Sequence, residues 1–196
     1  MGTRINVLMD HNIADYKDQS AVLAPLTSAL PATLAVRDYW DVNDPSPKRV
    51  VQTEWTADLV TPYGPNFRSF TAPGSLFFDI GPAAAKIRMG GRWRGFVSIP
   101  PLYQVHLQAF RAVAHASGAS YFACFPDCED AWEAFVEGGT DREIIPILEH
   151  YFGPSHSFPD ALLPEESEEA EKDVAYVWYY EKSEEPIYDK RFSQLA

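Results

Sequence analysis

Two short polar clusters carry the residue types that acid–base or metal chemistry would need. Asp10, His11 and Asn12 follow the first predicted strand, and Asp127 follows the central predicted strand. If these strands are parallel neighbours, both clusters fall at the carboxyl edge of the sheet, where ligand sites of α/β proteins form. An Asp, a His and a second Asp placed there could transfer protons or bind a divalent metal ion. Asp10, His11 and Asp127 are therefore the candidate catalytic residues, although turns and helix caps use the same residue types.

A third candidate is the arginine-rich segment 88–94. Arg88, Arg92 and Arg94 surround Trp93 and a pair of glycines. The planar guanidinium suits carboxylates and other anions, so this segment could hold an anion or a partner that carries a carboxylate. The alternative is a turn whose arginines pair with the many acidic residues of the surface.

Familiar catalytic and metal-binding signatures are absent from the sequence. It contains no Walker loop, Rossmann fingerprint, GxSxG elbow, HExxH or zinc-finger spacing. Cys124 and Cys128 have a CxxxC spacing, which is more typical of two buried thiols than of a metal or redox site. His106 and His115 are nine residues apart on the predicted central helix and so lie on different faces. We predict no metal and no cofactor, and a binding protein rather than an enzyme.

The elements that would position these residues are organised around segment 90–127. Pro100 and Pro101 open a predicted helix, because proline is tolerated in the first turn. An apolar stripe and a polar stripe interleave along this helix, which Gly118 ends. The following run, 119–125, is almost wholly apolar and predicts a strand covered on both faces. We expect Trp55, Leu107, Phe110, Phe122, Cys124 and Trp132 to be buried together.

Other patterns give the remaining elements. Further strands are predicted at 4–10, 32–39, 51–59, 76–80, 84–89, 96–99 and 174–180, with a helix at 18–30 and two more between Asp127 and Gly153. Strand 51–59 has the strictest alternation, with an acidic outer face. Asp127 is expected to cap the helix that follows it, and Thr140 with Glu143 forms a capping box for the next. These elements predict an α+β fold: a single domain with a mixed or mainly antiparallel sheet and helices packed on one face.

The predicted organisation has three parts along the chain. Residues 1–160 form the α+β core domain, 161–173 an acidic flexible loop, and 174–196 a C-terminal strand that returns to the sheet, followed by a tail. No signal peptide and no apolar run of about 18 residues is evident, so we expect a cytoplasmic protein. A net charge of −12 argues against nucleic acid and anionic membranes as partners.

Three classes of function fit this sequence. The first is an acidic cytosolic binding or inhibitory protein that occludes a basic protein partner, as bacterial toxin-immunity proteins do; this comparison is one of size and charge only. The second is a small hydrolase-like or metal-assisted enzyme that uses Asp10, His11 and Asp127. The third is a structural subunit of an oligomer. The predicted partner-binding residues are acids that steer association and aromatic anchors in loops: Glu54, Asp58, Tyr63, Phe67, Trp93, Glu165, Glu166, Glu168 and Glu169.

Overall fold

An antiparallel sheet carries the fold; it has seven strands within residues 4–43, 52–158 and 178–182, which the computed structural model describes. The strands are β1 (Arg4–Met9), β2 (Thr56–Ala57), β3 (Arg68–Ala72), β4 (Leu76–Ile80), β5 (Ala85–Arg92), β6 (Tyr121–Phe125) and β7 (Tyr179–Lys182). Their order in the sheet is β2-β3-β4-β5-β1-β6-β7. The prediction of an α+β domain with a mainly antiparallel sheet is confirmed.

Helices cover the sheet unequally. The helices are α1 (Gln19–Leu26), α2 (Leu30–Asn43), α3 (Trp93–Ser98), α4 (Pro100–Ala116), α5 (Glu129–Val136) and α6 (Asp141–Phe152). The first four form the main layer, on the sheet face that carries Ile5, Val7 and Met9. The pair α5 and α6 lies on the opposite face, against Leu8 and Phe125. The sequence predicts helices on one face; the second pair is present because part of the other face is apolar as well.

The central unit is the best predicted part of the fold. Helix α4 has proline in its first turn, and Gly118 follows it at φ +68°, a conformation that favours glycine. All five residues of β6 are buried. Trp55, Leu107, Phe110, Phe122 and Cys124 share one hydrophobic core, as predicted. Trp132 does not, since 41% of its surface is exposed.

Two predicted strands are helices instead. Segment 32–39 belongs to α2, where Thr33 and Val36 are buried. With Val22, Leu26 and Ala29, which precede α2, they form a stripe at spacings of four and three residues, which is the helical period. Segment 96–99 mostly belongs to α3, whose Trp93 and Phe96 pack into the core. Short apolar segments of this kind fit either structure until their neighbours are known.

The predicted nine-residue strand 51–59 is reduced to β2. Among the described residues 52–59, Thr56 and Ala57 alone form ladder pairs with β3, at the edge of the sheet. Trp55 is buried, yet Leu59 is fully exposed, so alternation in the sequence does not continue as alternation in burial. The reason is that an edge strand has one neighbour, and the chain leaves it after Asp58.

Several other predictions are confirmed. Strands β4 and β5 form a hairpin around Gly81, and Thr140 with Glu143 forms the predicted capping box at the start of α6. Tyr179–Lys182 pairs with β6 and overlaps the end of the predicted strand 174–180, whose residues 174–177 lie outside the described part of the chain. Residues 161–173, the predicted acidic loop, lie outside the described residues.

The helical stretch Gln19–Asn43 fits two interpretations, a core helix and a membrane segment. It is 25 residues long with a mean hydropathy of 1.3, which is long and apolar enough to cross a membrane by length and composition. Its buried side chains pack on the core that α4 shares. A core helix and a membrane segment both fit these numbers, so the cytoplasmic location stays a prediction.

Candidate functional site

Asp10 and His11 are held by the backbone around them. The Asp10 carboxylate accepts hydrogen bonds from the Ser120 N–H (2.7 Å), the Tyr121 N–H (3.2 Å) and the Ser120 hydroxyl. His11 donates from Nε2 to the Gly81 carbonyl (2.9 Å) and accepts at Nδ1 from the Ile13 N–H (3.3 Å). Burial lowers the pKa of His11, against the raising effect of its bond to that carbonyl. Both side chains therefore tie strand ends together.

The predicted cluster of Asp10, His11 and Asp127 does not assemble. Strands β1 and β6 are antiparallel, with Asn6 opposite Phe125 and Met9 opposite Phe122. Asp10 and Asp127 consequently lie at opposite ends of this strand pair, about 20 Å apart at the usual rise per residue. The expectation of a shared carboxyl edge required parallel strands, and this condition is not met.

Asp127 has a different role from the predicted helix cap. Cys128 is the N-cap residue of α5 and makes no side-chain capping bond. The Asp127 carboxylate instead accepts from the Arg4 N–H (2.8 Å) and from the Asn6 side-chain amide (3.1 Å). It thereby joins the end of β6 to the start of β1 and contributes an acidic wall to a cavity.

The predicted aromatic anchors lie inside the protein. Trp93 is fully buried, with its ring centroid 5.6 Å from that of Phe96. Tyr63 and Phe67 pack on each other and on Phe135 of α5, which makes them core residues of the second face. They were predicted to be exposed because loops usually lie on the surface. In this conformation the three rings are therefore not exposed, and their role in partner binding stays a prediction.

The acidic residues predicted to bind a partner differ in their exposure to solvent. Glu54 is exposed. Asp58 is half-buried and accepts a hydrogen bond from the Thr71 hydroxyl at 2.8 Å. Glu165, Glu166, Glu168 and Glu169 lie outside the described residues.

A polar cavity of about 480 Å³ opens on the second face of the sheet, beside α5. We call it the Lys86 cavity. Its polar lining consists of Arg4, Asn6, Lys86, Arg88 and Asp127. The strand pleat brings these groups together: Ala85, Ile87 and Met89 face the main core, so Lys86 and Arg88 face the opposite side. Asn6 of β1 is the direct cross-strand neighbour of Arg88.

A buried ion pair fixes one side of this cavity. Arg88 donates from Nε to Oδ2 of Asp79 (2.6 Å) and from Nη2 to Oδ1 (3.3 Å). Asp79 has no exposed surface and also accepts from the Ser69 hydroxyl at 2.6 Å. Two parallel bonds hold the guanidinium in one orientation. Its third nitrogen, Nη1, makes no hydrogen bond within the described part of the chain.

Lys86 is the unusual group of the cavity. Only 4% of the residue is exposed, although it lines the cavity. Across residues 4–43, 52–158 and 178–182, its amine makes no hydrogen bond or ion pair. Burial lowers the pKa of Lys86 to about 8, in spite of the attraction of Asp79. A buried charge without a partner is costly, so such a lysine marks a candidate functional group.

Aromatic rings form the rest of the wall. The Arg88 guanidinium carbon lies 5.6 Å from the Tyr63 ring centroid and 5.1 Å from that of Phe77. The Trp132 ring, 6.0 Å from that of Tyr63, reaches the cavity from α5. Burial raises the pKa of Tyr63 to about 12, with the Asp79 charge adding to this effect, so Tyr63 keeps its proton. The cavity thus combines cationic groups with an aromatic wall, a usual composition for a ligand site.

Sequence reasoning missed most of this site. It named the arginines of segment 88–94 as a candidate anion site, with a surface turn as the alternative. Arg88 does line the cavity, while the side chains of Arg92 and Arg94 lie outside the described part. Asp127 also lines it, but without Asp10 or His11. The available signal was Lys86 and Arg88 at a spacing of two within an apolar strand, which places both on one face.

A second cavity, of about 510 Å³, is a weaker candidate. It lies between α4 and β7 and is lined by Arg111, His115 and Glu181 among others. Arg111 donates to both oxygens of Glu181, at 2.6 Å from Nη2 and 2.9 Å from Nε. Because these two charges neutralise each other, neither favours a charged ligand.

The described residues contain no group of three or more His, Cys, Asp and Glu side chains that could hold a metal ion. No protein-family model, curated protein or solved structure matches this chain.

Proposed function

We propose that this is a binding protein whose Lys86 cavity holds a small anionic ligand with carboxylate or phosphate oxygens. The observation that carries the proposal is the buried amine of Lys86, which lines a cavity without a partner in the described structure. An oxyanion would supply the missing charge and hydrogen bonds, and charge-assisted bonds are the strong ones. The cavity volume is in the range that accommodates a small molecule.

The arrangement of charged groups in the Lys86 cavity also favours anion binding. Arg88 is already oriented by Asp79, so a ligand would not have to immobilise it, and preorganised groups lose less entropy on binding. Arg4 adds a further positive charge, and Trp132 offers an apolar surface. The ligand that fits best is an anion with a small apolar or planar body.

Thermal unfolding with added phosphate, citrate or acetate tests this proposal. A ligand that binds only the folded state raises the midpoint of unfolding as its concentration increases. Sodium chloride at the same ionic strength corrects for screening. We expect at least one of these anions to raise the midpoint above the chloride control, and Lys86→Met to remove this increase.

The matched control is Lys17→Met, because Lys17 is an exposed lysine that does not line the cavity. This variant should respond as the original protein does. An equal response in Lys86→Met and the original protein would show that the anions bind elsewhere, and the proposal would fail.

Occlusion of a basic protein partner is the second candidate. The net charge of −12 supports it, as does an exposed apolar pair next to acidic residues. Leu59 is fully exposed and Val60 is 80% exposed, in the segment that also carries Glu54. Exposed apolar groups surrounded by charge are typical of protein-binding surfaces. The two candidates use different surfaces, so Lys86→Met should leave partner binding unchanged.

A further inference from the structure

Lys86 and Arg88 lie on one side of β5 and have different chemical roles. They are two residues apart on a strand, which places their Cα atoms about 7 Å from each other on the same face. Arg88 is held by Asp79, so it can bind an anion but not move freely. The Lys86 amine lines the cavity and is not engaged by any described group. One group is thus suited to anchoring a ligand and the other to reacting with it.

We propose that Lys86 is a nucleophile that condenses with the aldehyde or keto group of a small anionic carbonyl compound. Arg88 binds the carboxylate or phosphate of the same molecule. This inference rests on the proposed anion site and specifies its ligand class. The product is an imine between the Lys86 nitrogen and the former carbonyl carbon.

The step balances without a further reactant. The lone pair of the neutral amine forms a bond to the carbonyl carbon, the carbonyl π electrons move to its oxygen, and one proton passes from the nitrogen to that oxygen. The resulting carbinolamine takes up a second proton from solvent on its hydroxyl, which leaves as water when the C–O bond breaks and the nitrogen lone pair forms the C=N bond. The iminium ion then returns one proton to solvent and gives the imine. One amine and one carbonyl give one imine and one water.

The surroundings of Lys86 support a reactive amine. An amine attacks only in its neutral form, and desolvation increases the neutral fraction. With a pKa of about 8, a substantial share of Lys86 is neutral near pH 8, whereas an ordinary lysine there is almost wholly protonated. The charges that act on it are Asp79 and Asp127, which favour the ammonium, and Arg4 and Arg88, which oppose it. Trp132 and Tyr63 form the neighbouring aromatic wall.

Reductive trapping tests this inference. The full chain is incubated near pH 8 with succinic semialdehyde and sodium cyanoborohydride, which reduces an imine to a stable secondary amine. Modified sites are located by peptide mass spectrometry. We expect Lys86 to be modified roughly tenfold or more faster than exposed Lys17, because its lowered pKa gives a larger neutral fraction.

Two related probes separate the roles of the two residues. Butanal has the same chain length and aldehyde but no anion, so it should modify Lys86 much more slowly if Arg88 anchors the carboxylate. Succinate has the anions but no aldehyde, so it should compete with the labelling. Lys86→Met should lose the fast site, and Lys17→Met should retain it.

The outcomes distinguish this inference from the proposed function. If Lys86 reacts no faster than Lys17, the nucleophile is overturned. If succinate still raises the unfolding midpoint through Lys86 in that case, the anion site stands alone. If Lys86 is not labelled and neither succinate nor phosphate, citrate or acetate stabilises the protein through Lys86, both are overturned. Fast labelling of Lys86 that depends on the carboxylate supports both.

Discussion

Asp79 and Lys86 are direct cross-strand partners of β4 and β5, yet the Asp79 carboxylate bonds to Arg88 and not to the Lys86 amine. The diagonal pair of Arg88 and Asp79 provides hydrogen bonds to both the guanidinium and the buried carboxylate. It leaves the amine with nearby charges but without a hydrogen bond among the described residues. The charge pattern of these two strands therefore creates the candidate site.

The first prediction concerns the pair of buried Asp79 and half-buried Arg88. Asp79→Asn should lower the free energy of unfolding by about 2–3 kcal/mol, because it leaves the Arg88 charge without its partner, while the exposed part of Arg88 limits the loss. Urea denaturation at pH 7 measures the change. The control is Asp58→Asn, where a half-buried carboxylate bonds to one hydroxyl and a loss of about 1 kcal/mol is expected. Equal losses in the two variants would contradict a special role for the Asp79–Arg88 pair.

The second prediction is that Lys86 lowers the stability of the protein. Its pKa falls from 10.5 to about 8 on folding, so the unfolded state binds more protons between these values. The stability of the original protein should therefore rise as the pH rises from 8 to 10.5, by about 3 kcal/mol at most. Lys86→Met should be more stable at pH 7 and should lack this rise.

Denaturation curves at pH 7, 8, 9 and 10 check this prediction, with Lys17→Met as the control. A less stable Lys86→Met at pH 7 would indicate that the amine has a stabilising partner. A more stable variant that no longer binds anions would be typical of a functional residue that costs stability.

The sequence predicted best those elements whose signals are local. Pro100, the two stripes of α4 and Gly118 define that helix within a few residues, and the β6 run is apolar throughout. The same reasoning failed at 51–59, because alternation does not reveal whether a strand has neighbours on both sides. Leu59 is exposed because β2 is an edge strand, which only the complete sheet order shows.

The candidate site was less predictable, since it depends on strand direction. Asp10 and Asp127 would share an edge in a parallel pair and are separated by the antiparallel one. Lys86 and Arg88 can be placed on one face from their spacing. However, their burial depends on α5, on the loop that brings Tyr63, and on Asp79 of the neighbouring strand. The contacts with α5 and Tyr63 are distant in sequence and leave no periodic signal.

The third prediction concerns pH and His106. This residue has no exposed surface, donates from Nδ1 to the Leu102 carbonyl (2.7 Å) and has no partner at Nε2 within the described structure. Burial lowers its pKa from 6.5 to about 4, so the unfolded state takes up the proton first. The contribution of neutral His106 is complete above pH 6.5 and is lost as the pH falls through 4, by about 3 kcal/mol.

Denaturation of His106→Phe between pH 7 and 4 measures this effect. The variant should lose less stability over this range than the original protein. The control is His115→Asn on the same helix, because His115 is exposed. A pH dependence that is unchanged in His106→Phe would show that other groups cause the acid sensitivity.

The fourth prediction separates the core from the surface. Phe110→Ala should cost about 3–5 kcal/mol, since Phe110 is fully buried between Phe96 and His106. Trp132→Ala should cost clearly less, because much of this ring is exposed. Thermal and urea unfolding give both values. Trp132→Ala should nevertheless weaken anion binding, since the ring lines the Lys86 cavity.

The fifth prediction tests occlusion of a basic partner. Because Tyr63, Phe67 and Trp93 are buried, the apolar contribution to affinity should come from exposed Leu59 and Val60. Acidic residues such as Glu54 should mainly raise the association rate, by attraction that salt screens over about 8–10 Å.

The measurement uses a basic protein captured from the native organism, whose binding kinetics are followed at low and high salt. We expect the association rate to fall steeply as the salt concentration rises. The double variant Leu59→Ser and Val60→Ser should dissociate faster than the original protein. Glu54→Gln should slow association with little change in dissociation, and Lys86→Met should change neither rate. An association rate independent of salt would contradict charge-guided occlusion, and loss of binding in Lys86→Met would place the partner at the anion cavity instead.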